Sequence, residues 1–163
     1  DSESNYGMTK KFLIDFKDIP EENVHRIIGE NEPEQEAVRY SKEIKNNVVS
    51  KNGLPSFDLV MLGIGEDGHT ASIFPDQMQL LSSNKICDVA AHPLSGQKRI
   101  TLTGKVINNS DKVIFLLTGR SKADILRKII EENKKIYPAE FINPVNGELK
   151  FFVDDEAGEL LKN

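Results

Sequence analysis

Two apolar runs, at residues 57–62 and 112–118, restrict the fold more than any other feature of the chain, and each is followed by a glycine. A nearly continuous apolar run bounded by turn residues is typical of a strand that is buried on both faces, as in a parallel sheet. Amphipathic helical patterns occupy residues 31–48 and 121–130, one before the first run and one after the second. Strands that alternate with helices in this way predict an α/β fold, here a Rossmann-like three-layer sandwich with a mostly parallel sheet.

The remaining patterns are consistent with one domain. They predict helices at residues 6–16, 138–142 and 155–161, and strands at residues 86–91, 99–103 and 149–153. Ser121 is expected to cap the helix that follows the second run. A chain of 163 residues is long enough for one sizeable core and too short to argue for two. We therefore expect a single α/β domain over residues 1–163.

Charge and composition exclude several classes of function. The formal net charge is −5, with acids and bases mixed along the chain, whereas a nucleic-acid surface would present a basic face. No window approaches the ~18 apolar residues of a membrane span. The single cysteine, Cys87, cannot form an internal disulfide, and its apolar neighbours predict a buried, unreactive thiol. We expect a cytoplasmic protein, monomeric or weakly self-associating, that acts on a small molecule.

The loop after the first run carries three glycines, two carboxylates and a histidine within residues 63–69. Glycines let a substrate approach the backbone closely, and their amides can face a developing oxyanion. Asp67 is near enough in sequence to orient the imidazole of His69 or to raise its basicity, and a neutral histidine can take a proton from water. This combination predicts attack of water on a carbonyl carbon. A histidine that begins a helix and bonds only to backbone is the alternative.

The same loop formally matches the dinucleotide pattern G-x-G-x-x-G. Two carboxylates inside the loop would repel a pyrophosphate, and a helix that starts near Thr70 would have to end by Pro75, which is short for a crossover helix. We therefore expect no nucleotide cofactor. The other histidines, His25 and His92, are far along the chain, and no paired spacing of metal ligands occurs. The sequence accordingly predicts no metal site.

The loop after the second run places a cation, Lys122, at the start of a helix. Free amides, the helix dipole and a lysine side chain together suit a phosphate, although a solvated first-turn lysine is the alternative. Arg99, just before an apolar strand pattern, is a second candidate for the same positive pocket. Lys98 precedes it, and one member of this pair is expected to be solvated surface.

Residues 63–75, Gly-Ile-Gly-Glu-Asp-Gly-His-Thr-Ala-Ser-Ile-Phe-Pro, closely resemble the signature of the 6-phosphogluconolactonases of the type related to glucosamine-6-phosphate deaminase. Further matching stretches follow in order along the chain: Ser4-Asn5-Tyr6-Gly7, residues 99–103, Gly119-x-x-Lys122-Ala123, Pro138-Ala139 and residues 154–157. The resemblance implies a fold of the NagB/RpiA/CoA transferase-like kind. It also implies hydrolysis of 6-phospho-D-glucono-1,5-lactone to 6-phospho-D-gluconate, the second step of the pentose phosphate pathway, without metal or cofactor.

The resemblance further implies roles for individual residues. His69 is the general base on the attacking water, with Asp67 nearby. Lys122 and Arg99 are cations for the substrate, mainly for its phosphate. The other implied substrate contacts are Gly63, Gly65, Gly68 and Asn5.

Two other functions stay open at this point. In the sister deaminases an Asn precedes the Gly-His pair, whereas Asp67 stands here and Thr-Ala-Ser-Ile-Phe-Pro follows, and both features favour the lactonase. A phosphosugar-binding module without turnover is the non-enzymatic alternative.

Family members also carry an upstream Ser-Gly-Gly phosphate loop and an Asp-Glu-Arg motif. Neither occurs in residues 1–163, so we expect this chain to be the C-terminal portion of a longer lactonase domain.

Overall fold

The computed structural model describes residues 4–162, and its central sheet is parallel. Strands β3 (Val60–Leu62), β6 (Lys112–Leu117) and β7 (Glu148–Val153) lie side by side in that order. The register pairs Leu62 with Phe115 and Phe115 with Phe151. The two apolar runs of the sequence are therefore neighbouring parallel strands, as predicted. The expectation that both of their faces are buried is wrong for the described residues, because Met61 of β3 and Leu116 of β6 are exposed.

Two antiparallel hairpins accompany this sheet. The first joins β1 (Ser50–Lys51) to β2 (Leu54–Pro55), and the second joins β4 (Cys87–Ala91) to β5 (Lys98–Leu102). Both strands of the second hairpin were predicted, but they pair with each other rather than with the parallel sheet. The turn between them is closed by a hydrogen bond from the His92 N–H to the Gln97 carbonyl (2.9 Å). A short turn suits an antiparallel pair, since a parallel pair needs a crossover of a dozen or more residues.

Four of the predicted helices are present, with altered ends. They are α1 (Asn5–Thr9, continued by a π-helical turn at Lys10–Ile14), α2 (Pro33–Asn47), α5 (Ala123–Arg127, preceded by a 3₁₀ turn at Arg120–Lys122 and followed by a π-helical turn at Lys128–Glu132) and α6 (Asp155–Gly158). The helix predicted at residues 138–142 is a 3₁₀ turn at Pro138–Phe141. Two short helices, α3 (Gln79–Ser82) and α4 (Gly104–Asn108), and 3₁₀ turns at Glu21–Asn23 and Pro75–Gln77 were not predicted. No described helix, from residue 4 to residue 162, is long and apolar enough to cross a bilayer.

Two local predictions were wrong. No helix begins at Thr70, because Thr70 instead forms an isolated antiparallel bridge with Ile73. Ser121 lies inside the 3₁₀ turn, and no side chain caps either that turn or α5. The chain enters α5 through consecutive helical residues, so the extended backbone that a capping serine requires is absent at residue 121.

Two hydrophobic clusters make up the core. The larger one contains Phe115 of the sheet and Leu126 of α5, both fully buried. The smaller one lies between α2 and the β4–β5 hairpin and includes the buried Cys87. Phe57 and Leu102 pack against both clusters, so the two regions form one continuous interior.

One face of the parallel sheet is apolar and open within the described residues. Met61, Leu116 and Phe152 are 60%, 52% and 51% exposed, whereas the residues beside them in each strand point into the core or are less exposed. Side chains alternate between the two faces of a strand, so these three share the face opposite Phe115.

The extended segment before α2 is held by one buried carboxylate. Glu36 of α2 is fully buried and accepts hydrogen bonds from the Ile28 N–H (2.7 Å) and the Asn31 side-chain amide (2.8 Å). The Arg39 guanidinium binds both Glu36 oxygens, at 2.7 and 2.6 Å. These hydrogen bonds, led by the one from Arg39, lower the pKa of Glu36 to about 2 despite its burial.

Candidate active site

The two glycine loops meet because β3 and β6 are parallel neighbours, which places their carboxyl ends at the same edge of the sheet. A cleft of about 400 Å³ opens there. Its lining residues are Asn5, Met61, Leu62, Gly63, Ile64, Gly65, His69, Ala71 and Lys122. The structure thus brings five predicted site residues to one place: Asn5, Gly63, Gly65, His69 and Lys122.

Hydrogen bonds within the first loop fix its shape. The Thr70 hydroxyl donates to the Gly63 carbonyl (2.9 Å), and the Gly65 N–H donates to the His69 carbonyl (2.9 Å). The Gly68 N–H donates to the Gly65 carbonyl, also at 2.9 Å. The amides of Gly65 and Gly68 are therefore occupied inside the loop. This corrects the expectation that these glycine amides face a developing oxyanion.

His69 and Asp67 form a closely bonded pair. Asp67 Oδ1 lies 2.5 Å from His69 Nδ1 and also accepts the backbone N–H of His69 at 3.1 Å. An ionised carboxylate only accepts hydrogen bonds, so Nδ1 carries a proton, and in the neutral form of the ring Nε2 keeps its lone pair. Burial alone would raise the pKa of Asp67, but the hydrogen bonds from His69 outweigh it and lower that pKa. The ring of His69 is 28% exposed, which leaves it within reach of a water molecule.

Glycine is required at two positions of this loop for different reasons. A Cβ on Gly65 would overlap the imidazole of His69 and the carboxylate of Asp67. Gly68 has a φ of +79° and lies against the side chain of Tyr137, and its carbonyl accepts the Ala139 N–H (3.2 Å). Gly68 is buried and does not line the cleft. Gly68 shapes the loop, and no sequence pattern indicated that Tyr137 packs on it.

The second loop holds Lys122 in the cleft wall, half-buried. The Gly119 N–H is not free, since it donates to both oxygens of the Asp154 carboxylate (3.0 Å each). Asp154 also caps α6 through the Ala157 N–H (2.8 Å). The Asp154 carboxylate therefore accepts the hydrogen bond of one backbone amide in the loop that was predicted to bind phosphate. An aspartate between a strand and a short helix is a recognisable N-cap signal, but its second partner is set by the tertiary fold.

Lys122 and its neighbour Arg120 differ in their salt bridges. Arg120 pairs with Glu159 at 3.0 Å, whereas Lys122 has no salt-bridge partner in the part of the chain that the structure describes. Lys122 is therefore the cleft-lining cation whose charge is available to an anion.

Arg99 lies on β5 and does not line the cleft. Its guanidinium bonds to the Gln97 side chain, at 3.3 and 3.2 Å. Thr101, two residues along the same face of β5, accepts the Ser72 N–H at 3.1 Å, so that face does reach the loop behind His69. Lys98 pairs with Glu34 of α2 at 2.6 Å. Of the two neighbouring cations, only Arg99 is on the side that faces the site.

A larger groove of about 660 Å³ lies between α2 and β4, and no histidine lines it. Its wall includes Cys87, and burial raises the pKa of that thiol to about 11, so the sulfur stays protonated and weakly nucleophilic at neutral pH. Residues 4–162 contain no group of three or more His, Cys, Asp or Glu arranged to hold a metal ion. The smaller cleft, which holds the histidine–carboxylate pair, is the candidate active site.

A family model and similar curated proteins point to the same family. The family model for glucosamine-6-phosphate isomerases/6-phosphogluconolactonase matches residues 1–151. The 6-phosphogluconolactonase of Haemophilus influenzae is 45% identical over 163 residues, which covers 99% of this chain and 68% of that protein. The human 6-phosphogluconolactonase is 37% identical over 162 residues, which covers 98% of this chain and 62% of that protein. The chain thus spans about two thirds of the length of these relatives.

Solved structures agree with the sequence relatives. The crystal structure of a devB protein matches with a TM-score of 0.93 and 37% identity, over 99% of this chain and 68% of that one. The 6-phosphogluconolactonase from Trypanosoma cruzi matches with a TM-score of 0.83 and 30% identity, over 100% of this chain and 68% of that one. These neighbours confirm the predicted α/β fold class.

Proposed function

The chain belongs to the glucosamine-6-phosphate isomerase/6-phosphogluconolactonase family, and we propose that it is an enzyme that hydrolyses 6-phospho-D-glucono-1,5-lactone to 6-phospho-D-gluconate. This reaction is the second step of the pentose phosphate pathway. The observation that carries the proposal is the His69–Asp67 pair at 2.5 Å in a cleft that also contains Lys122, a lysine without a salt-bridge partner among residues 4–162. A base and an anion-binding cation in one cleft match the two ends of a phosphorylated lactone.

In this proposal His69 acts as the general base. Nδ1–H of the ring is held by Asp67, so Nε2 takes a proton from a water molecule as its oxygen attacks the lactone carbonyl carbon. The carbonyl π electrons move to the carbonyl oxygen and return as the bond from that carbon to the ring oxygen breaks. The proton on Nε2 then passes to the departing ring oxygen, and the free carboxylic acid loses its proton to solvent. Asp67 stabilises the imidazolium that forms between these steps.

Substrate binding is assigned to the cations and small residues around the base. Lys122 pairs with the phosphate, since it lines the cleft and has no internal acid partner within residues 4–162. Asn5, the first residue of α1, contributes hydrogen bonds to the substrate. Gly63 and Gly65 have no side chains, so the sugar can approach the backbone of the cleft floor. Arg99 is a second, more distant cation that would have to leave Gln97 to reach the phosphate.

The test is the rate of acid release from the lactone, corrected for spontaneous hydrolysis, in the wild type and in His69→Ala. The variant should fold normally by circular dichroism and lose nearly all enzyme-dependent turnover. Glu66→Gln, which removes a neighbouring exposed carboxylate, is the matched control and should keep its activity. Wild-type turnover by His69→Ala would disprove the assignment of the base.

Two results would replace the proposed reaction. Ammonia release from glucosamine 6-phosphate would establish the deaminase reaction, which Asp67 argues against. Tight binding of 6-phosphogluconate without any lactone turnover would establish a binding module.

We also propose that residues 1–163 fold as a single α/β unit. The shared packing of Phe57 and Leu102 on both hydrophobic clusters supports this. One cooperative unfolding transition, coincident by circular dichroism and tyrosine fluorescence, is expected, and two separated transitions would contradict it.

A further inference from the structure

The ring of Phe74 lies directly against the imidazole of His69, with centroids 4.7 Å apart and planes inclined by 45°. Phe74 is completely buried and belongs to the larger hydrophobic cluster. We propose that Phe74 is a positioning residue for the general base, which fixes the plane of the His69 ring so that Nε2 points at the attacking water. This inference rests on the function proposed above and goes beyond the His69–Asp67 pair.

One hydrogen bond does not fix an imidazole. A histidine side chain has two rotatable bonds, and its terminal torsion is broad rather than sharply staggered. The Asp67 contact fixes the position of Nδ1, but the ring can still tilt about that contact. Two packing contacts remove this freedom. The absent side chain of Gly65 leaves the space that the imidazole occupies, and the Phe74 ring contacts it as a tilted aromatic pair.

Phe74 is itself held by the β4–β5 hairpin. The ring of His92 lies edge-on to Phe74, with centroids 5.3 Å apart and planes at 76°. His92 Nδ1 accepts the N–H groups of Leu94 and Ser95, at 3.3 Å each, which ties this ring to the hairpin turn. The three rings therefore form a row in which the fully buried phenyl ring separates the base from the hairpin.

The backbone next to Phe74 is anchored to the same hairpin. The Gln77 side chain accepts the Ala91 N–H (2.9 Å) and donates to the Ala91 carbonyl (2.6 Å). The Gln77 N–H also donates to the Phe74 carbonyl at 2.9 Å. These contacts leave the phenyl ring little freedom to move away from His69. A rigid supporting group of this kind is what a precisely oriented base requires.

The test is Phe74→Leu, which keeps an apolar side chain but removes the flat ring. We expect kcat to fall about tenfold, since small misplacements of a catalytic group can cost up to about 100-fold, and KM to change less than about twofold. Phe115→Leu is the matched control. Phe115 is also fully buried, belongs to the same cluster and stacks on Phe151 at 5.0 Å, but it is not paired with His69. The Phe115→Leu variant should lose about as much stability as Phe74→Leu does, while its folded molecules keep the wild-type kcat.

A double variant separates positioning from a merely structural effect. In a His69→Ala background, Phe74→Leu should not reduce the remaining rate further, because the group that it positions is gone. A further reduction, or equal kcat values for Phe74→Leu and Phe115→Leu, would overturn the proposal.

Nitrogen-15 NMR of the imidazoles tests the same idea without turnover. Wild type and Phe74→Leu should both keep the His69 proton on Nδ1, where Asp67 holds it. Nitrogen-15 relaxation should show a more mobile imidazole in Phe74→Leu, and equal ring mobility in the two proteins would contradict the proposal. If the wild type hydrolyses no lactone, the proposed function fails, but the NMR comparison still decides whether Phe74 orders the ring.

Discussion

Asp67 contacts His69 twice, through the ring Nδ1 at 2.5 Å and through the backbone N–H at 3.1 Å, both from the same carboxylate oxygen. The backbone contact holds the carboxylate in the turn, and the ring contact then sets the tautomer of the imidazole. One acidic side chain two residues before His69 thus sets the tautomer of its ring from within the same turn. This differs from sites in which the orienting acid comes from another element.

Asp67→Asn should lower kcat by about 100-fold with little change in KM. The amide can donate a hydrogen bond to Nδ1, which leaves the ring proton on Nε2, the atom that must accept a proton from water. The rate of lactone hydrolysis and the tautomer seen by nitrogen-15 NMR should change together. Glu66→Gln is the control, and near wild-type kcat in Asp67→Asn would show that Asp67 does not set the tautomer.

The pH dependence of this pair follows from the lowered pKa of Asp67. The interaction stabilises the folded state at all pH values above the usual pKa of an aspartate and is lost as the pH falls through the lower, folded-state value. The stability difference between wild type and Asp67→Asn should therefore shrink as the pH falls below the usual pKa of an aspartate. Urea unfolding at several pH values measures it, and a difference that grows on acidification would contradict the prediction.

Lys122→Ala should raise KM for the lactone about tenfold, as expected for the loss of one charge-assisted contact of about 1.4 kcal/mol. Arg99→Ala should raise KM less, because Arg99 lies outside the cleft and is bonded to Gln97. Steady-state kinetics of both variants at one ionic strength give the comparison. A larger effect at Arg99 than at Lys122 would mean that β5 carries the main phosphate contact.

Gly65→Ala should reduce kcat by about tenfold or more while the protein stays folded, because the added methyl group must displace the His69 ring or the Asp67 carboxylate. Gly29→Ala is the matched control, since no atom lies within 4 Å of a Cβ built there. Kinetics and thermal unfolding of both variants make the check. An active Gly65→Ala variant would show that the ring has room to shift without loss of function.

Glu36→Gln should destabilise the protein by about 3 kcal/mol near neutral pH, since a shift of the Glu36 pKa from 4.5 to about 2 corresponds to roughly that free energy. A lowered carboxylate pKa contributes stability above pH 4.5, and that contribution is lost as the pH falls toward 2. The gap in urea-unfolding free energy between wild type and Glu36→Gln should therefore close in acid. Glu34→Gln, at an exposed position of the same helix, should show a small effect throughout.

The parallel strands and the contact between His69 and Asp67 could be predicted from the sequence because their signals are local. The apolar runs that end at Gly63 and Gly119 predicted two buried parallel strands, and parallel strands present their carboxyl ends at one edge. The loop residues Asp67 and His69 are two apart, so the chain itself brings them within bonding distance.

The partners that come from distant segments could not be predicted in the same way. No sequence pattern indicated that Asp154 accepts the Gly119 amide, that Tyr137 packs on Gly68, or that β4 pairs with β5 rather than with the parallel sheet. Arg99 matched the expected motif, yet its strand holds it outside the cleft.

The sequence by itself thus determined the α/β class, the site at the strand ends and the His69–Asp67 pair, because helical and strand periodicity and contacts between near neighbours depend on short stretches of chain. The tertiary structure alone decided which cation lines the cleft, which amides are already bonded, and that the Phe74 ring packs against His69. These features depend on how segments many residues apart pack together, and that packing is a property of the whole core rather than of any one motif.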